Sequence, residues 1–93
     1  MELNLKKVPE TPGIYKFFNN SEIIYIGKAK NLKKRVSSYF GNAQKDRKTS
    51  QIQKLTDQIE TFTTKNEVEA LLLEQMLIRE NKPKFNILHR DDK

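Results

Sequence analysis

The 93-residue chain has no cysteine, so disulfides, thiolate metal centres and a cysteine nucleophile are excluded at once. Its one histidine is His89, which makes a paired-histidine metal site untenable and leaves His89 as an exposed tail residue. No apolar run approaches a membrane span, and the opening MELNLKKVPE lacks an apolar core of signal-peptide length, so a cytoplasmic protein is the expectation. Internal repeats, low-complexity tracts and linkers are absent as well. Acidic residues are in short supply: 12 Asp and Glu face 18 Lys and Arg, a formal net charge of +6 with a pI near 9.6. That balance favours a polyanionic partner, most commonly nucleic acid. A cationic membrane-surface helix is the competing class, but no segment pairs a wide apolar face with a continuous basic one. A chain of this length holds one modest core, hence a single domain over residues 1–93. Its charged ending, HRDDK, lacks a closing element, and an N-terminal fragment of a longer protein is expected.

Residues 7–12 carry two prolines and read as an extended lead-in. Gly13 to Phe18 and Glu22 to Ile26 are β-branched and aromatic, and Asn19-Asn20-Ser21 between them supplies turn chemistry, which predicts a β-hairpin. Strand alternation then sets Tyr25 on the face opposite Ile24 and Ile26. Asn31 is a fair N-cap for a helix running to about Phe40, with Leu32, Val36, Tyr39 and Phe40 as its apolar stripe and Gly41 at its end. After the basic stretch 42–48, Ile52, Leu55 and Ile59 form a thin helical stripe. Thr61 to Thr64, around Phe62, predicts a third strand. Asn66-x-x-Glu69 opens a helix in the manner of a capping box. The following Val68 to Ile78 is apolar almost all round, which predicts a central core helix stopped by Lys82-Pro83.

Within this frame one cationic cluster stands out: Lys28, Lys30, Lys33, Lys34 and Arg35. Most charge runs are only a solvated face. Here Lys33, Lys34 and Arg35 fall in the first turn of a helix, where the macrodipole disfavours each cation by roughly 0.3–1 kcal/mol, and a phosphate at the helix N-terminus would offset that cost. Gly27 would let a backbone phosphate approach closely. Glu74 has Ala70, Leu71, Leu77 and Ile78 as its helical neighbours, so no cation on its own helix can pair with it. Spacing alone fits a tertiary salt bridge to a lysine slightly better than a metal; the sharper reading is a Mg²⁺ ligand, since that ion takes one or two carboxylates and fills its other positions with water and phosphate. Taken singly, Tyr15, Tyr25 and Tyr39 read as half-buried core residues. All three lie within reach of the basic cluster, whose charge would favour a phenolate.

Gly13-Ile14-Tyr15 and Tyr25-Ile26-Gly27 match the two signatures of the GIY-YIG nuclease family, which the chain resembles over essentially its whole length. The stretches GKAKNLKKRVSSYF, EALLLEQMLI and KPKFNIL are similar to the UvrC-like branch of that family. The resemblance implies an α/β (α+β) domain, a small three-stranded antiparallel sheet flanked by helices. It also implies an endonuclease dependent on one Mg²⁺, with Mn²⁺ as an alternative ion, that hydrolyses a phosphodiester on the 3′ side of a lesion during nucleotide excision repair. Damaged double-stranded DNA and UvrB would be the partners of the full-length protein, and the fragment would be monomeric. Carried over by position, Tyr15, Tyr25 and Lys28 line the site, Arg35 binds the scissile phosphate, and Tyr39 is a further site tyrosine. Glu74 is the metal ligand, Asn86 supports the site, and Lys30, Lys33 and Lys34 contact DNA. Tyr15 is the leading choice of general base and Tyr25 the competitor. Met76 departs from the asparagine usual in that branch, which implies local repacking. A standalone GIY-YIG nuclease and a non-catalytic DNA-binding module are the alternatives.

Overall fold

The computed structural model describes residues 5–41 and 46–88; His89 and the segment 42–45 lie outside them. Strands β1 (Gly13–Asn19) and β2 (Glu22–Ala29) form the expected hairpin. The turn residues Asn20 and Ser21 both adopt positive φ, 54° and 68°, the backbone of a two-residue type I′ turn whose twist matches that of the flanking strands. Helices α1 (Leu32–Phe40) and α2 (Arg47–Leu55) follow, then β3 (Gln58–Thr63), α3 (Glu67–Asn81) and the short α4 (Lys84–Leu88). The sheet order is β2-β1-β3, antiparallel throughout. This is the expected three-stranded α+β arrangement. Among the described residues no helix is long and apolar enough to cross a membrane.

The two faces of the sheet carry unequal cores. Tyr15, Phe17 and Ile24 pack with Leu32, Val36 and Tyr39 of α1, Ile52 of α2 and Phe85 of α4 in one cluster. Ile14 and Ile26 are fully buried on the opposite face, beneath α3. Simple alternation fails at one point. The β1–β2 register skips Ile24 at a bulge, so Ile24 and Tyr25 both turn toward the first cluster instead of to opposite faces.

Three expectations are corrected. Ile59 lies in β3 and not on a helix, because α2 ends at Leu55, where Thr56 folds its hydroxyl back onto the Ile52 carbonyl (2.6 Å). Strand β3 accordingly begins at Gln58 and ends at Thr63. The third concerns α3, whose cap is as expected: the Asn66 side chain accepts from the Glu69 N–H (2.9 Å) and the Glu69 carboxylate from the Lys65 N–H (2.6 Å). It is nevertheless no core helix. Ala70 is its only buried residue, while Val68 and Leu72 are 66% and 65% exposed. A small sheet can cover only one side of a helix, and apolar content does not reveal which side is covered.

Candidate active site

The lead-in before β1 begins as a 3₁₀ turn, Leu5–Lys7, and then runs beneath α1. There the Thr11 and Pro9 carbonyls accept from the Leu32 and Lys33 amides at 2.9 and 3.0 Å, and the Asn31 side chain accepts from the Lys34 amide at 3.0 Å. Those first-turn donors are therefore satisfied within the protein. A phosphate cannot use them, contrary to the expectation from helix-terminus chemistry; any anion here meets side chains instead. Lys28, Lys30, Lys34 and Arg35 do line one shallow groove of about 540 Å³. Lys33 does not line it and is half-buried.

Behind that groove lies an aromatic cluster. The Tyr15 and Tyr39 hydroxyls are 3.1 Å apart in a hydrogen bond, with ring centroids at 5.8 Å; the Tyr25 ring is 6.2 Å from each. The Arg35 guanidinium stands over the Tyr39 ring at 5.3 Å, a cation–π contact that fixes it at the cluster's margin. Only Tyr25 is part-exposed, Tyr15 and Tyr39 being 1% and 3% accessible. Burial pushes the Tyr15 phenol up to about 12, with repulsion from an ionised Tyr25 adding to it; the Tyr39 hydrogen bond and the Arg35 charge oppose this without prevailing. Burial likewise raises Tyr39, and Tyr15 and Tyr25 add to the effect. The expected preference for a phenolate is thus reversed at these two tyrosines, because desolvation outweighs the neighbouring cation. For Arg35 itself burial works downward, but Tyr15, by its charge once ionised and by its hydrogen bond, and then Tyr39 and Tyr25 raise it on balance; at neutral pH, with the phenols uncharged, the guanidinium is protonated in its own right.

Gly27 pairs with Tyr15 across the hairpin. A side chain there would collide with the Tyr15 ring and hydroxyl. Its lack of a Cβ makes room for a phenol of the protein, not for the phosphate that the sequence alone suggests.

Glu74 follows Ala70 by one helical turn, on the covered side of α3. It is half-buried, and desolvation raises its carboxyl, opposed by the Gln75 amide and the Lys28 charge. Gln75 donates to it at 3.3 Å, and no salt bridge to Glu74 occurs among the described residues. Its carboxylate lines a cleft of about 1090 Å³ together with Tyr25, Arg47, Lys48, Phe85 and Asn86. A carboxylate stripped of part of its water, facing an open polar cleft and short of donors, suits a hydrated divalent cation. Among the described residues no group of three or more His, Asp or Glu side chains could enclose a metal, so any ion there would keep most of its water.

Asn86 closes this cleft by pairing with the free edge of β2. Its side-chain carbonyl accepts from the Ile26 N–H and its amide donates to the Ile26 carbonyl, both at 2.9 Å, in the manner of one rung of a further strand. Sequence reading missed Arg47 and Lys48. Lys48 sits 4.8 Å above the Tyr25 ring, and the signal for it was Asp46, which caps α2 by accepting from the Thr49 amide (2.8 Å) and so starts that helix with two cations facing the cleft. The structure thus brings Tyr15, Tyr25, Tyr39 and Arg35 together. Glu74 and Asn86 meet that cluster at Tyr25, and Lys28 and Lys30 flank it on the Arg35 side.

Comparisons with known proteins identify the family to which this fold belongs. The family model for the UvrC-like GIY-YIG domain matches residues 11–87. The UvrABC system protein C of Fusobacterium nucleatum is 46% identical over 93 residues, 100% of this chain and 16% of that protein. The protein of the same name from Psychrobacter is 49% identical over 90 residues, 96% of this chain and 15% of that one. The chain thus spans only about a sixth of the length of these curated relatives. Among solved structures, the GIY-YIG N-terminal endonuclease domain of UvrC from Thermotoga maritima, bound to its catalytic divalent cation, magnesium, superposes with a TM-score of 0.81 at 41% identity, covering 88% of this chain and 90% of that one. From signatures through sheet order to overall match, this chain belongs to the UvrC-like GIY-YIG domain family.

Proposed function

We propose that the chain is the metal-dependent endonuclease domain of a nucleotide excision repair protein, hydrolysing a DNA phosphodiester on the 3′ side of a lesion. The observation that carries this reading is that Glu74 shares a cleft with Tyr25, whose ring adjoins the Tyr15–Tyr39–Arg35 cluster. Hydrolysis of a phosphodiester requires a water to lose a proton, negative charge to be neutralised at the phosphoryl oxygens, and the leaving oxygen to be stabilised. Arg35, a permanent cation positioned on Tyr39, binds the scissile phosphate. Tyr25 is the general base, replacing Tyr15 as first choice. It is the one site phenol that reaches the cleft, whereas Tyr15 is sealed in the core and reluctant to ionise. Tyr15 and Tyr39 are positioning residues, their shared hydrogen bond fixing the platform on which Arg35 rests. Glu74 holds one Mg²⁺, or Mn²⁺ in its place, which when bound supplies positive charge to the phosphoryl and leaving oxygens. Lys28, Lys30 and Lys34 hold the DNA backbone along the groove. Lys33 contributes at longer range, and Asn86 keeps α4 and the cleft wall in place.

The short span relative to the curated relatives favours a domain of a larger repair protein over a standalone nuclease. In that setting the domain is monomeric and cytoplasmic, and UvrB delivers it to damaged double-stranded DNA. Incision of lesion-bearing duplex by the full-length protein with UvrB and Mg²⁺ tests the reading. Arg35→Ala and Glu74→Ala are each expected to slow 3′ incision by roughly a hundredfold or more. Wild-type incision by Glu74→Ala would overturn the assignment, and DNA binding without metal-dependent cleavage in the unmodified protein would leave only a binding module.

A further inference from the structure

The reaction proposed for this site gives Arg47 and Lys48 no task, yet both face the cleft that holds Tyr25 and Glu74. A surface lysine is usually only solvated. Lys48 is placed otherwise: its ammonium is held 4.8 Å from the centre of the Tyr25 ring, and the residue is half-buried. No carboxylate pairs with Arg47 or Lys48 among the described residues. Further along α2 the helical neighbours of Lys48 are Gln51 and Ile52, so no acid follows it there. The cleft has two acids of its own, Asp46 and Glu74. Asp46 is engaged as the cap of α2, accepting from the Thr49 amide at 2.8 Å, and Glu74 is the residue assigned to the metal. With a divalent ion on Glu74 the cleft carries net positive charge.

The cleft, about 1090 Å³, is at the upper end of the range that holds a drug-sized ligand, more than one phosphate and a hydrated ion fill. Its walls are of two kinds. Arg47 and Lys48 supply charge, whereas Ile78 of α3 and Ile87 of α4 are apolar, and Ile87 is 46% exposed. Charge beside an apolar wall suits a nucleotide, phosphate to the first and sugar and base to the second. No residue lines both this cleft and the groove of Lys28, Lys30, Lys34 and Arg35. The two meet at the tyrosines, because the Tyr25 ring is 6.2 Å from the Tyr39 ring on which Arg35 rests. We propose that the cleft is a subsite for the nucleotide next to the scissile bond, with Lys48 holding its phosphate and Arg47 adding charge at the rim. The strand is then fixed on both sides of the bond that breaks. Such positioning has kinetic weight, since a misplacement of about 1 Å can cost a hundredfold in rate. This rests on the nuclease reading and extends it along the strand.

The test uses the full-length protein with UvrB, Mg²⁺ and lesion-bearing duplexes in which one phosphate at a time near the 3′ incision is replaced by an uncharged methylphosphonate. Lys48→Met removes the ammonium and keeps most of the stem over the Tyr25 ring. It is expected to slow single-turnover incision about tenfold, the weight of one charge-assisted hydrogen bond. Lys48→Arg, which keeps the charge, should stay within about threefold of the unmodified protein. At one position beside the cut the methylphosphonate is expected to slow the unmodified protein about tenfold and the Lys48→Met protein no further, because that contact is already gone. Losses that multiply at every position would mean that Lys48 only steadies Tyr25, and would overturn the proposal. An unchanged rate in Lys48→Met would overturn it too. Binding titrations in the Glu74→Ala background, where cutting is suppressed, separate the subsite from the reaction. There the same position is expected to weaken binding severalfold with Lys48 present and not at all with Lys48→Met. That pattern without metal-dependent incision by the unmodified protein leaves the phosphate contact standing and removes the nuclease reading; incision without any such position keeps the nuclease and removes the subsite.

Discussion

Tyr15 carries the clearest consequence at the scale of a single residue. Its folded-state pKa of about 12 lies above that of an exposed phenol, so the folded state favours the neutral form. Stability from this group is complete below about pH 10 and declines as pH rises through 12. Thermal unfolding followed between pH 9 and 12 should show that decline, and Tyr15→Phe should flatten it, with Tyr39 retaining the remainder. At neutral pH the same substitution strands the Tyr39 hydroxyl and should cost about 1–2 kcal/mol. Identical alkaline profiles for the two proteins would refute the assignment. At this scale the sequence was informative about which residues matter and less so about what they do. The signature residues could be picked out because they are spaced by a hairpin, a local structure. The role of Gly27 could not, because its neighbour Tyr15 lies twelve residues away and meets it only once the strands are in register. The direction of the tyrosine shifts was hidden for the same reason: burial is a property of the assembled core, and it outweighs the nearby arginine.

Among elements, the contact between α4 and β2 is the most exposed to test. Asn86 satisfies both backbone groups of Ile26, and Ile26 is fully buried. Asn86→Ala should lower stability by roughly 1–3 kcal/mol, since a donor and an acceptor lose their partners together. Asn86→Asp, which can still accept but not donate, should fall between alanine and the unmodified protein in urea unfolding. Equal stability of all three would show that water replaces the side chain. The elements legible beforehand were those governed by near neighbours: the hairpin through its turn residues, α1 through the Asn31 cap, and α3 through Asn66 and Glu69. The misplacements at α2 and β3 arose because Ile59 suits either a helical stripe or a strand face, and its pairing with Phe17 decides the matter. A bulge such as that at Ile24 leaves little trace in a sequence, as it depends on how two twisted strands fit.

For the molecule as a whole, the grouping of cations along one groove makes the proposed binding of DNA testable. Four cations, Lys28, Lys30, Lys34 and Arg35, border one groove. If each pairs with a phosphate, the logarithm of the binding constant should fall with the logarithm of salt concentration at a slope of about −3 to −4, and Lys34→Ala should reduce that slope by about 1. Equilibrium titrations at several salt concentrations would measure both; a slope unaffected by Lys34→Ala would move the DNA path elsewhere. A net charge of +6 pointed to the polyanion but not to its location, because bringing Lys28 and Lys30 beside Lys34 and Arg35 depends on how the end of β2 packs against α1.

The carbonyls of Pro9 and Thr11, which close the first turn of α1, have a practical bearing on how the protein is handled. They make the leader a brace for the arginine-bearing helix. A purification tag joined too tightly, or a trim that removes residues ahead of Gly13, would loosen the seat of α1, and with it the setting of Arg35, while leaving every charged side chain of the groove in the chain.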